Sequence, residues 1–165
     1  MHRGDLDAHA EQVARSEAEL RTAQDALVDH PGVAHAGFLH DAEKEYAEAR
    51  LCAAMVLGTP LEGPAALGVM PHSWMRGLAE AASELRRTVL DRLRAGDLDG
   101  GEALLGAMDD AYDVLAAVDL PDALTGGLRR TVDALRAVTE RTRGDVTTTV
   151  LQTRLQRAIE AAGPA

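Results

Sequence analysis

The sequence predicts an all-α protein that forms a single domain over residues 1–165. Ala and Leu dominate its apolar residues whereas Ile occurs once, and this mixture favours helices over strands. Apolar residues also recur three, four or seven positions apart, which is the spacing of a helix that buries one face. A chain of 165 residues can bury one sizeable core but not two independent ones. We therefore expect a bundle of about five to six helices.

The first two predicted helices occupy the N-terminal third of the chain. The first has an apolar residue at every seventh position: Leu6, Val13, Leu20 and Leu27. It ends at the turn formed by residues 29–32 (DHPG). The second runs over residues 33–57 and has an apolar stripe of six residues: Phe38, Ala42, Tyr46, Ala49, Ala53 and Val56. Gly and Pro residues then predict a long connecting loop over residues 58–71.

The remaining helices follow this loop. Ser73 is the predicted N-cap of a third helix, which ends at Gly96. Its apolar stripe contains Trp74, Leu78, Ala81, Leu85, Val89 and Leu93. A fourth helix follows the turn at residues 97–101 (DLDGG) and is broken at residues 120–122 (LPD). From Leu128 onward, the apolar spacing indicates either one long helix or two helices divided near Gly144.

The charge balance argues against a nucleic-acid partner. The chain has 17 basic and 27 acidic residues, for a formal net charge of −10. This objection weakens for a salt-adapted organism with a GC-rich genome, and the near-absence of lysine in this acidic chain is typical of such an organism. In concentrated salt, counterion release contributes little to nucleic-acid affinity, so a basic surface is a less reliable sign there. Positive charge also accumulates toward the C-terminus, because residues 124–165 carry seven arginines against four acidic residues.

Other features exclude several classes of protein. The lone Cys52 cannot form a disulfide framework or the usual two-cysteine zinc site. No apolar run reaches the ~20 residues of a membrane span, and the N-terminal residues lack a signal-peptide core. We therefore expect a soluble, cytoplasmic protein without a membrane partner.

Acidic residues cluster on two of the predicted helices. Asp41, Glu45 and Glu48 lie within a ~60° sector beside the apolar stripe of the second helix. Glu80 and Glu84 are four residues apart on the third helix. Paired carboxylates on two helices suit a hard divalent ion such as Mg²⁺ or Mn²⁺, which supports phosphodiester hydrolysis. Spacing alone, however, favours the alternative of solvent-exposed ion pairs with nearby arginines.

Two weaker patterns also bear on nucleic-acid binding. Arg129, Arg136 and Arg143 lie seven residues apart on one helical face, where guanidinium groups could follow a phosphate backbone. The acids interleaved at positions 133 and 140 favour a salt-bridge ladder instead. Trp74 and Tyr46 are able to stack on bases, but their places in apolar stripes favour the core.

Four segments resemble the translin family, especially its catalytic branch, which contains translin-associated factor X and archaeal relatives. Residues 38–49 (FLHDAEKEYAEA) are similar to a family helix that carries E-Y-x-E-A. Residues 77–87 (GLAEAASELRR) are similar to the family motif G-L-x-D-x-x-G-E-L-x-R. Residues 120–130 (LPDALTGGLRR) and 138–145 (VTERTRGD) resemble later helices of the family.

The resemblance implies an all-α fold, assembly into homo-oligomers, and Mg²⁺-dependent cleavage of single-stranded RNA. Carried over residue by residue, it assigns the metal and the orientation of its water to four residues: Glu45, Glu48, Glu80 and Glu84. Binding of single-stranded DNA is a further expectation. Possible contacts to the nucleic acid are Arg87, Arg130 and Arg141.

The chain departs from the family pattern at three places. Glu80 replaces the usual Asp, and Ser83 replaces the Gly before Glu84. The usual first helix of the family is expected to be missing, which would expose the stripe of Leu6, Val13 and Leu20. Two alternatives to an endoribonuclease remain: a nucleic-acid-binding protein of the same fold without catalysis, and a helical oligomeric scaffold without a nucleic-acid role.

Overall fold

Helices form all the regular structure that the computed structural model describes. It describes the backbone of residues 3–163 and the side chains of residues 11–163. Five long helices are α1 (Arg3–Ala26), α3 (Phe38–Leu57), α5 (Pro71–Arg94), α6 (Leu98–Ala116) and α8 (Leu128–Ala162). Three single-turn helices, α2 (Pro31–Ala34), α4 (Pro64–Leu67) and α7 (Asp122–Thr125), lie in the connections. The all-α prediction is confirmed, and the three single turns are additional to the predicted helices.

Helix α5 lies at the centre of the bundle, where it packs against α3, α6 and α8. It buries small and branched apolar side chains on several faces, including Leu78, Ala82, Leu85 and Val89. Helix α6 also contacts α8, and α1 covers the outer side of α3. None of the helices described here has the length and hydrophobicity needed to cross a membrane.

The second helix begins later than the sequence predicts. Residues 31–34 form the separate turn α2, and α3 begins only at Phe38. Gly37 separates them with a φ of 106°, a backbone conformation that residues with a Cβ rarely adopt. Phe38 is therefore at the helix start and is 81% exposed, so its predicted place in the apolar stripe is wrong.

The start of the third helix also differs from the prediction. Pro71 is the first residue of α5, and Met70 rather than Ser73 occupies the N-cap position. A proline suits this place because its missing N–H would have no helical partner. The Ser73 hydroxyl is thereby free to bond elsewhere, and its partner belongs to α3, as described below.

Helix α8 settles the choice left open by the apolar spacing, because it is continuous over 35 residues and passes through Gly144 without a break. Its last four turns carry exposed apolar side chains, including Leu151, Leu155 and Ile159.

The predicted exposure of the first helix's apolar stripe is wrong for the described side chains. Leu20 is buried, and Val13 packs against the core. The Leu6 side chain lies outside the described residues.

Candidate functional site

Helices α3 and α5 approach each other closely at Gly77. A Cβ atom at this position would lie 2.8 Å from the Lys44 carbonyl oxygen and 3.0 Å from the Glu48 backbone nitrogen. Only glycine allows two helix backbones to approach this closely without a shift. This contact brings the acidic residues of α3 next to Glu80, one turn beyond Gly77 on α5.

A lysine joins the acidic residues at this contact. The Lys44 Nζ atom donates to Glu80 Oε2 at 2.6 Å, and the Lys44 side chain is only 14% exposed. Burial opposes the ammonium charge, but the Glu80 hydrogen bond and the charges of Glu80, Glu48 and Glu45 outweigh it, so the pKa of Lys44 is raised. The ammonium group therefore stays charged at neutral pH.

The negative charge of Glu48 is disfavoured by its surroundings. Burial raises its pKa, and the negative charges of Glu80 and Glu84 raise it further, while Lys44 acts in the opposite direction. Glu48, Glu80 and Glu84 are thus electrostatic neighbours, as the two sequence motifs predict. A cation that lies between these carboxylates would reduce their repulsion and stabilise the cluster.

Glu45 lies at the edge of the same region and is exposed. Together with Glu48 and Glu84 it lines an open groove of about 850 Å³ between α3 and α5. The groove continues past Cys52 to Arg92. Three of the four predicted glutamates therefore line one groove. Glu80 does not line it but bonds to Lys44 and is an electrostatic neighbour of Glu48.

Their arrangement does not fit a metal ion as it stands. Within the part of the chain whose side chains are described, no three His, Cys, Asp or Glu side chains converge closely enough to hold one. The carboxylate chemistry suits Mg²⁺, but one oxygen of Glu80 is already engaged by Lys44. A shared ion would have to use the other oxygen of Glu80 or displace Lys44.

Glu43 is a buried carboxyl group that the sequence reasoning missed. It is 3% exposed, and its Oε2 accepts from Ser73 Oγ at 3.0 Å and from the Met70 backbone N–H at 3.2 Å. Its Oε1 accepts from Gln24 Nε2 at 3.0 Å. Glu43 therefore ties α1, α3 and the start of α5 together. A signal was present, because Glu43 lies four residues before the buried Ala47, on the core side of the helix.

Histidines gather beside Glu43, where α3 and α5 begin. The rings of His40 and His72 lie 4.4 Å apart, edge to face. His40 Nδ1 is 3.6 Å from Glu43 Oε2, which is too long for a hydrogen bond. His40 is half-buried here and points to Glu43, whereas the acidic groove lies further along α3.

The stability of this corner should depend on pH through His72. Burial lowers the pKa of His72, and the neighbouring His40 and Arg76 add to the effect, while Glu43 opposes it. The unfolded chain then binds a proton at His72 more tightly than the folded chain does. The contribution of neutral His72 to stability is therefore fully present above pH ~6.5 and decreases as the pH falls below it. We expect the melting temperature of the wild type to fall more between pH 7.5 and 5.5 than that of His72→Asn. Equal slopes in a pH series of melts would contradict this.

Three exposed arginines lie where the sequence proposed nucleic-acid contacts: Arg87, Arg130 and Arg141. None of them makes an ion pair with a described acidic residue. By contrast, Arg143 pairs with Asp109 at 2.5 Å and with Glu140 at 3.6 Å. The predicted ladder forms only at Arg143, since Arg129 and Arg136 have no such partner among the described residues.

The two aromatic residues considered for base stacking belong to the core or its edge. Tyr46 is buried, and its hydroxyl accepts from Arg50 at 3.0 Å. Trp74 packs against the core and donates its indole N–H to the Glu62 carbonyl oxygen at 2.8 Å. Both side chains therefore belong to the core or its edge rather than to a base-stacking surface, as their places in the apolar stripes indicated.

Two solved structures share this arrangement of helices. The crystal structure of AfC3PO, a translin-like protein, aligns with a TM-score of 0.70 and 30% identity over 88% of this chain and 79% of that chain. The chain belongs to the translin family. A second structure, of AfC3PO in complex with duplex RNA, aligns with a TM-score of 0.66 and 25% identity over 90% of this chain and 93% of that chain.

Sequence comparison adds a more distant relative of this translin-family chain. An uncharacterized protein of Methanocaldococcus jannaschii is 29% identical over 92 residues, which is 56% of this chain. The match spans about two fifths (41%) of that relative's length. No protein-family model matches the chain.

Two of the three departures from the translin pattern lie in α5. Ser83, which replaces glycine, turns its hydroxyl back onto its own helix and donates to the Ala79 carbonyl oxygen at 2.8 Å. Ser83 does not line the acidic groove. Glu80, which replaces aspartate, is one methylene longer, and its carboxylate bonds to Lys44.

Proposed function

We propose that this chain is an RNA-binding protein of the translin family. The observation that carries the proposal is the structural likeness to AfC3PO in its complex with duplex RNA, which extends over nine tenths of both chains (90% and 93%). A likeness of this extent includes the whole helical bundle rather than one motif. Single-stranded RNA, which the resemblance implies, and single-stranded DNA are the other ligands to be compared.

The arginines of α8 support this proposal. Arg130 and Arg141 are eleven residues apart, so they lie within ~20° of each other on one face of a helix. Both are exposed and free of ion pairs with described residues, so their guanidinium groups can bind phosphates without first breaking an internal contact. The seven arginines and four acids of residues 124–165 place this face in the most positive part of an acidic chain.

Removing these arginines should weaken RNA binding and reduce its dependence on salt. Each phosphate contact contributes about 0.9 to the slope of log K against log salt. We expect Arg130→Ala and Arg141→Ala to lower that slope by about one each and to weaken binding uniformly across RNA sequences. Fluorescence anisotropy with labelled single-stranded and duplex RNA measures both quantities.

Arg94→Ala is the matched control, because Arg94 is exposed and paired with Asp91 on its own helix. It removes the same charge but should leave the slope unchanged. If all three variants change the slope equally, α8 has no special part in binding, and the proposed surface is wrong.

Metal-dependent cleavage by Glu45, Glu48, Glu80 and Glu84 stays a prediction. Its test is incubation of labelled single-stranded RNA with the wild type and Glu45→Gln, with Mg²⁺, Mn²⁺ or EDTA, in low and high salt. Cleavage that requires the metal and is lost in the variant would support an endoribonuclease. Binding without cleavage would support the non-catalytic alternative, and the absence of both would support a scaffold.

We also propose that the chain forms homo-oligomers. Leu151, Leu155 and Ile159 lie four residues apart on α8 and are exposed over more than half of their surface (58%, 62% and 63%). A continuous apolar stripe of this kind is unusual on a monomer. Light scattering after size exclusion should give a mass that is a multiple of 17.5 kDa.

A further inference from the structure

Lys44 is the only lysine of the chain, beside 16 arginines. It also occupies an unusual place, because its ammonium group is held at the contact between α3 and α5, where Gly77 brings the two backbones together. Lysine is rarely this buried unless it has a charged partner. Its partner here is Glu80, one of the four glutamates for which the resemblance implies a metal.

The ammonium group lies within the field of three of these four residues. Its Nζ atom is 2.6 Å from Glu80 Oε2, and the charges of Glu48 and Glu45 act on it as well. The Lys44 ammonium group therefore already lies where a cation would reduce the repulsion between Glu48 and Glu80. The geometry points to a resident cation that belongs to the chain itself.

We propose that the Lys44 ammonium group takes the place of a divalent ion between Glu48 and Glu80, beside the acidic groove, and weakens the binding of Mg²⁺ or Mn²⁺ there. A tethered ammonium ion reaches Glu80 without giving up an ordered metal hydration shell, whereas Mg²⁺ releases its waters reluctantly and needs close to octahedral geometry. A divalent ion would either displace Lys44 or lie beside it, and both arrangements set two positive groups near each other. The inference takes only the translin fold from the proposed function and does not depend on RNA binding.

Replacing Lys44 should therefore create metal affinity. We expect Lys44→Gln to bind Mn²⁺ at least about tenfold more tightly than the wild type, since the variant leaves Glu48 and Glu80 without a cation. Isothermal titration of the full chain with MnCl₂, in the absence of RNA, measures this difference. Arg157→Gln is the control, because it makes the same change in net charge at an exposed residue near the end of α8 and should bind Mn²⁺ as the wild type does.

A second measurement keeps the wild-type lysine and does not depend on the folding of a variant. Reductive methylation with ¹³C-formaldehyde preserves the positive charge and labels the Lys44 amine as the only lysine signal. Paramagnetic Mn²⁺ at stoichiometric concentration should leave this signal sharp, because the ion does not bind between Glu48 and Glu80. Strong broadening of the Lys44 signal, or equal Mn²⁺ affinity in the wild type and Lys44→Gln, would overturn the proposal.

Discussion

Glu43→Ala is expected to lower the free energy of unfolding by about 3–5 kcal/mol, the largest effect of any single substitution considered. The change removes the acceptor of three donors: the buried Ser73 hydroxyl and the partly buried Met70 backbone N–H and Gln24 amide. The Gln24 amide keeps its other bond, to the Gly68 carbonyl oxygen. Because these donors come from α1 and from the start of α5, the loss loosens both elements from α3. Urea unfolding followed by circular dichroism measures the change.

Two further variants serve as comparisons for this prediction. Glu43→Gln retains the size of the side chain and one acceptor oxygen, so it should cost less than Glu43→Ala. Glu19→Ala removes an exposed carboxylate that pairs with Arg15 on the same helix, and its effect should stay within about 0.5 kcal/mol. A loss for Glu43→Ala no larger than that for Glu19→Ala would mean that the buried network contributes nothing to stability.

Gly77→Ala should have the second-largest effect, a destabilisation of about 1–3 kcal/mol. The new methyl group would meet the Lys44 carbonyl oxygen at 2.8 Å and the Glu48 nitrogen at 3.0 Å, and backbone atoms cannot move aside as a flexible side chain can. Helices α3 and α5 must therefore separate, which also weakens the Lys44–Glu80 contact. Thermal and urea unfolding measure the loss of stability.

Gly106→Ala is the matched control, because Gly106 lies within α6 and a Cβ atom there would have no neighbour within 4 Å. This substitution should stabilise the protein by about 0.5–1 kcal/mol through helix propensity alone. If both glycine substitutions stabilise the protein, the close approach at Gly77 does not constrain the bundle.

The helices were predictable because their apolar residues follow the helical period. That pattern placed α6 and all but the start of α5, and it left α8 as either one helix or two. It could not place the start of α3, because the break depends on the backbone conformation of Gly37 rather than on apolar spacing. That residues 1–165 form a single domain stays a prediction, as do a salt-adapted, archaeal source and a cytoplasmic location.

The acidic groove was predictable in part. The two motifs identify Glu48, Glu80 and Glu84, and the structure makes them electrostatic neighbours. Sequence spacing cannot show which carboxylates receive an internal partner, because that depends on where α3 and α5 cross. The roles of Lys44 and Glu43 follow from this crossing at Gly77, which is a tertiary contact.

Equilibrium binding of labelled RNA by the purified chain tests the central claim most directly. Anisotropy should rise to saturation with both single-stranded and duplex RNA, and the affinity should fall between about 50 and 200 mM salt as phosphate contacts are lost. If the anisotropy stays unchanged with both RNAs at protein concentrations of ~100 µM, in low and in high salt, that result would contradict RNA binding by this member of the translin family.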